Sequence, residues 1–179
     1  MNVVVIGGTR GIGHAVVVAA HAAGHTLSLM ARSAAAFAGP VSGLRLVAGD
    51  ANDDTDVDRA VAGQDAVVWT VGAEGVLSRG TAHLLAAMRM HRVSRLLCVA
   101  CGASEGKRRQ EALIRASAVE WTIVRPSSMT GGKATGLYQA VTAPPAGRPK
   151  RIPRADVADF VVESLSAPDY LHKTVYLTG

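Results

Sequence analysis

The chain has 179 residues, 49% of them hydrophobic and only 4% aromatic, which fits one domain with a real core and argues against disorder. Its formal charge of +5 at pH 7 is scattered along the sequence. Without aromatic platforms for bases, that charge suggests a solvated surface with sites for a phosphorylated ligand, and no nucleic-acid partner is expected.

Val3 to Ile6 is a short β-branched run, as a buried parallel strand requires. Glycines follow, and Ile12 to Ala23 reads as a helix closed by Gly24. Thr26 to Met30 and Leu44 to Ala48 read as strands, the latter ended by Gly49-Asp50. Asp54 to Ala62 is a helix with acidic residues in its first turn, ended by Gly63. Ala66 to Val71 is a strand, Arg79 to His91 a helix, and Arg95 to Ala100 a fifth strand. Lys107 to Ser117 is a helix, and Trp121 to Arg125 a sixth strand stopped by Pro126. A helix over Arg154 to Leu165 and a short strand over Lys173 to Leu177 complete the order. Strands alternating with helices predict an α/β fold, a parallel sheet covered on both faces. Residues 141 to 153 hold four prolines and read as a surface connection, so residues 1 to 179 are expected to form a single domain.

Cys98 and Cys101 form a C-x-x-C within the strand-like run RLLCVAC. Residues three apart on a strand face opposite sides, so neither a disulfide nor a shared metal is expected. The six histidines show no ligand clustering, and no metal site is expected. The apolar runs are short and interrupted, and no signal peptide is visible; a cytoplasmic protein without a membrane partner is the expectation.

Gly7, Gly11 and Gly13 have the spacing G-x-x-x-G-x-G after a strand and at the start of a helix. A chain turning there lets phosphate oxygens approach the backbone and meet a helix N-terminus. The reading is a dinucleotide site, with Thr9, Arg10 and Ile12 of the same turn among its candidates. An acidic residue ending the second strand would bind a ribose 2′-hydroxyl. The strand instead runs LSLMARS, placing Arg32 and Ser33 there. Arginine offers paired donors to a phosphate, so NADP(H) is expected over NAD(H). Because ligands sit at the carboxyl ends of strands, Asp50 and Ala51, Val71 and Gly72, and Ala100 join the cofactor-lining candidates.

GGTRGIG, VAGDANDDTDVDRAVAGQDAVV, KRRQEALIRASAVEWTIVRPSSM and IPRADVADFVVESL together carry a resemblance that runs nearly end to end. The chain resembles the atypical short-chain dehydrogenases with an NmrA-like or NAD(P)H-binding domain, closest to the flavin reductase/biliverdin reductase B type. The resemblance implies a Rossmann-type doubly wound sheet in a three-layer α/β/α arrangement, and relatives that are either reductases or dinucleotide sensors. Standard members use Ser, Tyr and Lys, with Tyr-x-x-x-Lys on one helix face. Lys107 aligns with the lysine, but Ala103 stands four residues before it and Cys101 stands where Ser is common. A flavin or other conjugated acceptor tolerates that loss, because its proton can come from solvent. The segment Cys101 to Gly106 is also short where the resembled reductases carry an insertion, implying an open site or one closed by a second subunit.

By the same resemblance Pro126, Ser127, Ser128 and Met129 lie where relatives contact the nicotinamide carboxamide. Lys107 either binds the nicotinamide ribose or is solvated on a basic helix start, with Glu111 at ion-pair spacing. Cys101 is either a weak acid beside the nicotinamide or a small buried side chain. Tyr138 either lines the substrate mouth or packs. The expectation is an NADPH-dependent oxidoreductase acting on a flat acceptor such as a flavin or quinone, as a monomer or homodimer. The alternative is an NADP(H)-binding sensor, partner protein or non-redox enzyme on the same scaffold.

Overall fold

Alternation within the first strand decides the layering. In β1 (Asn2–Ile6), Val3 and Val5 enter one buried cluster while Val4 and Ile6 enter another on the opposite face, because successive strand side chains alternate. All four are essentially without solvent exposure, so the strand is covered on both sides. The computed structural model describes residues 1–179.

The main sheet runs β3 (Arg45–Ala48), β2 (Thr26–Ala31), β1, β4 (Ala66–Trp69), β5 (Arg95–Val99), β6 (Glu120–Pro126), β10 (Lys173–Thr178) and β8 (Gln139–Val141). Every neighbouring pair is parallel except β10 with β8. Helices α1 (Gly11–Ala22) and α5 (Arg154–Glu163) cover the Val3/Val5 face. Helices α2 (Asp54–Val61), α3 (Glu74–His91) and α4 (Glu105–Arg115) cover the other. This is a Rossmann-type doubly wound fold with three layers. The chain winds outward from β1 to β3, then returns to place β4 on the other side of β1. A crevice therefore opens at the carboxyl ends of β1 and β4, the switch point at which such sheets take ligands.

Three short strands were not foreseeable: β7 (Met129–Thr130), β8, and β9 (Ile152–Pro153), which pairs with β7. Two or three residues are too few for a period to show. The proline-bearing connection is exposed as expected until Ile152, which is fully buried. Helix α3 starts five residues before Arg79, because Ala73 at its cap gives no side-chain signal and Gly75 is a weak helix former. No helix is long and apolar enough to cross a membrane.

Two buried charges lock the layers. Arg95, 5% exposed, donates to Glu120 O at 2.7 Å, Thr122 Oγ1 at 2.9 Å and Ser164 O at 2.6 Å, and burial pushes its pKa down to about 10. Glu111, 1% exposed on α4, accepts from Arg125 at 2.9 and 2.8 Å and from Arg115 at 2.7 Å. The expected pairing of Glu111 with Lys107 is therefore corrected: the two-pronged guanidinium of Arg125, on the strand beneath, occupies the carboxylate. Replacing Glu111 by Ala would leave Arg125 half-buried without its counter-charge. Such removals cost about 3–5 kcal/mol, or roughly 10 °C in melting temperature at this size. Thermal unfolding of Glu111→Ala measures it, and an unchanged midpoint would contradict this account of the helix–strand lock.

Candidate functional site

The turn between β1 and α1 is built on close backbone approach. Gly7 has φ +96°, a region that L side chains avoid. A Cβ on Gly13 would lie 2.5 Å from Thr70 Oγ1 and 2.7 Å from Gly7 O, so only glycine lets α1 begin against the ends of β1 and β4. Arg10 stands at the N-cap without a side-chain cap bond, and the first turn of α1 holds no acidic residue. The free amide donors and positive end of this helix thus lack an internal anion.

At this turn a groove of about 610 Å³ opens, within the range of small-molecule sites. Gly7, Thr9 and Arg10 line it from the turn, and Arg32 and Ser33 from the end of β2. Asp50 and Ala51 line it after β3, and Val71 and Gly72 after β4. Arg32 and Ser33 are exposed and precede a 3₁₀ turn at Ala34–Ala36. His14 pins that segment by stacking on Phe37 at 4.9 Å, its Nε2 lying 3.2 Å from Ala38 O. The Asp50 carboxylate accepts from Asn52 N at 2.9 Å, and Asp50 N donates to Asp56 Oδ2 at 2.9 Å. Of the other turn residues, Ile12 is 8% exposed in the core beneath α1, and Gly11 and Gly13 do not line the groove.

Residues outside the candidate set also line the groove: Ile6, Met30, Ala31, Ala36, Gly49, Thr70, Ala73 and Val76. Thr70 follows β4 directly and was within reach of the carboxyl-end rule. The others are small or apolar and carry no chemical signature.

Ala100, Cys101, Lys107 and Pro126 to Met129 lie further along the same sheet edge, at or after the ends of β5 and β6, and do not line this groove. Lys107 is linked to its wall. Its Nζ lies 3.4 Å from Val71 O and 3.5 Å from Gln110 Oε1, and the residue is only 4% exposed. A solvated Lys107 is thereby corrected: its helix face turns inward onto α3. The Ser127 hydroxyl donates to Lys150 O at 2.5 Å, and Ser128 O accepts from Ile152 N at 3.1 Å, so this turn is tied to the β9 segment. Tyr138 stands edge-on to Phe160 of α5 at 6.2 Å, against the core rather than in the groove.

Cys101 is exposed, not the small buried side chain of one expectation; Cys98 occupies that role. Local desolvation pushes the Cys101 thiol above its usual pKa, against the opposing pull of Lys107 and Arg154. Burial drives Cys98 to about 12. The short segment after Cys101 is fastened at its far end, where Ser104 Oγ accepts from Lys107 N at 3.2 Å and donates to Glu74 Oε1.

Residues 7–168 match the family model described as NAD(P)H-binding. Among solved structures, the chain is similar to a Rossmann-fold NAD(P)-binding family protein from Shigella flexneri. That pair has 24% identity and a TM-score of 0.87, covering 99% of this chain and 92% of the other. ChuY, an anaerobillin reductase from Escherichia coli O157:H7, matches with 22% identity and a TM-score of 0.84 over 99% of this chain and 97% of its own. A wide-type short-chain dehydrogenase/reductase from Veillonella parvula, in complex with NADP, matches with 14% identity and a TM-score of 0.84, over 99% and 94%. At these identities the likeness is one of fold.

The two thiols should separate by reactivity. Only thiolate is alkylated, and a raised pKa keeps Cys101 largely protonated at pH 8. Iodoacetamide should label Cys101 slowly at pH 8, faster through pH 9 and above, and leave Cys98 unlabelled in the folded protein. Rapid labelling of Cys101 at pH 7 by peptide mass would contradict the direction of its shift.

Proposed function

The chain belongs to the NAD(P)H-binding family, and on that premise we propose that it is an NADPH-dependent oxidoreductase passing hydride to a flat conjugated acceptor such as a flavin or quinone. The observation that carries the reading is the groove itself. It joins a glycine-rich turn, an uncapped helix N-terminus and two arginines at the switch point of the sheet. These residues fit the dinucleotide. The absent Cβ of Gly13 lets α1 begin close against Gly7 and Thr70, which line the groove, and no acidic residue opposes Arg32 at the end of β2.

In this reading the Gly7–Gly13 turn would hold the pyrophosphate, and Arg10, Arg32 and Ser33 the 2′-phosphate. Asp50 and Ala51 would flank the adenosine, with Val71 and Gly72 beside the ribose and pyrophosphate. Ala100, Cys101, Lys107 and Pro126 to Met129 would adjoin the nicotinamide half, which when bound supplies the hydride. Placement of donor and acceptor then provides most of the acceleration. No tyrosine serves as a proton donor. Tyr138 and Tyr170 pack around Phe160, and Tyr176 lies beneath the Arg125 guanidinium at 5.9 Å. The acceptor takes its proton from solvent, while Cys101 retains its own at Sγ.

The substitutions at Ala103 and Cys101 favour the second reading, a dinucleotide-binding sensor. Fluorescence titration with NADPH and NADH, followed by absorbance at the reduced-nicotinamide band with FMN, riboflavin and a quinone, separates the two. Arg32→Ala should weaken NADPH about tenfold or more, as loss of a charge-assisted contact does, and change NADH by about twofold at most. Equal losses for both nucleotides would remove the 2′-phosphate assignment, and binding without turnover on any acceptor would leave the sensor.

A further inference from the structure

We infer that Gln110, itself held by Thr81, is a positioning residue that aims the Lys107 ammonium at the dinucleotide groove; this rests on the reading that the groove takes a nicotinamide dinucleotide. Thr81 and Gln110 are wholly buried, and Lys107 nearly so. They form a line between α3 and α4. Gln110 Nε2 donates to Thr81 Oγ1 at 3.0 Å, Gln110 Oε1 faces Lys107 Nζ at 3.5 Å, and that Nζ reaches Val71 O at 3.4 Å on the groove wall. The orientation of the amide is dictated by charge, since its NH₂ end cannot face an ammonium.

No carboxylate competes for this cation. Glu111, one helical turn on, is taken by Arg115 and Arg125. Glu105 pairs with Arg108 and Arg109, and Glu74 accepts from Ser104. Both Lys107 contacts exceed the 2.7–3.2 Å of a strong N–H···O bond, although a buried ammonium calls for full satisfaction. Its hydrogen-bonding capacity is thus left for a ligand oxygen at the groove, while Gln110 keeps the flexible side chain from swinging away. A merely structural glutamine would need no lysine. Here its one acceptor is spent on a weak contact with the only buried lysine of the chain's four.

The test is a double-mutant cycle on NADPH affinity, read by nucleotide fluorescence, with the melting temperature of each variant alongside. Gln110→Leu and Lys107→Met should each weaken binding about five- to tenfold, and the double variant should be no weaker than Lys107→Met alone. Losses that multiply in the double variant overturn the proposal. Thr81→Val, which frees the Gln110 amide, replaces Gln110→Leu in the cycle if the latter does not fold. A second readout needs no nucleotide. Trace acetylation followed by peptide mass should label Lys107 at least tenfold faster in Gln110→Leu, relative to Lys133, Lys150 and Lys173. Unchanged labelling also overturns the proposal. If the unaltered protein binds no NADPH, the proposed function fails, and the labelling still decides whether Gln110 positions Lys107.

Discussion

The distance between two backbones governs this molecule. Gly13 has Thr70 and Gly7 where its side chain would be. Contact of this kind sets how closely α1 can approach the ends of β1 and β4, where the sheet reverses its winding. The groove is the space left over. The glycine-rich turn and the ends of β1, β2, β3 and β4 line it, and its charged residues are Arg10, Arg32 and Asp50. The hydrophobic clusters on the two faces pack the sheet against its helices, but neither would by itself produce an opening at this edge.

Charge is divided between two tasks. Arg95, Arg115 and Arg125 are spent on structure, each donating to partners on another element. Arg10, Arg32 and Lys107 find no acidic partner. Guanidinium groups suit the first task because a planar fork saturates a buried carboxylate. The separation depends on Glu111 facing β6, since a carboxylate turned one helical position toward Lys107 would neutralise the cation. Asp156 plays a related part beside α5. Burial raises its pKa, but the Thr135 hydroxyl and the amides of Gly136 and Thr135 more than offset this and hold it below the usual range. That carboxylate fixes the glycine-rich excursion after β7 to the helix.

Most of the element order was legible because apolar runs of four to six residues alternate with helical stretches, the first two closed by Gly24 and Gly63. The groove was legible through the glycine spacing, which led to Gly7, the chemistry expected where the second strand ends, which led to Arg32, and the carboxyl-end rule, which led to Asp50 and Val71. The rest was hidden for physical reasons. The inward face of α4 carries Lys107, Gln110, Glu111 and Ile114, and three polar residues at helical spacing read as solvated until the partners on α3 and β6 are known. Arg125 lies fourteen positions from Glu111. Met129 pairs with Ile152 across a long excursion, and nothing local in either segment announces it.

The bridge from β5 to α4 has a different kind of consequence. It is anchored where Ser104 meets Glu74, and its earlier residues are exposed. Extra chain inserted between Cys101 and Ser104 would displace no buried atom. Doubling a flexible loop costs only about 0.6 kcal/mol of closure entropy. The scaffold can thus acquire or shed a cover over this edge of the sheet without renegotiating its core. Descendants of one ancestral sheet could diverge in what they accept by loop length alone, and a designer could graft there first.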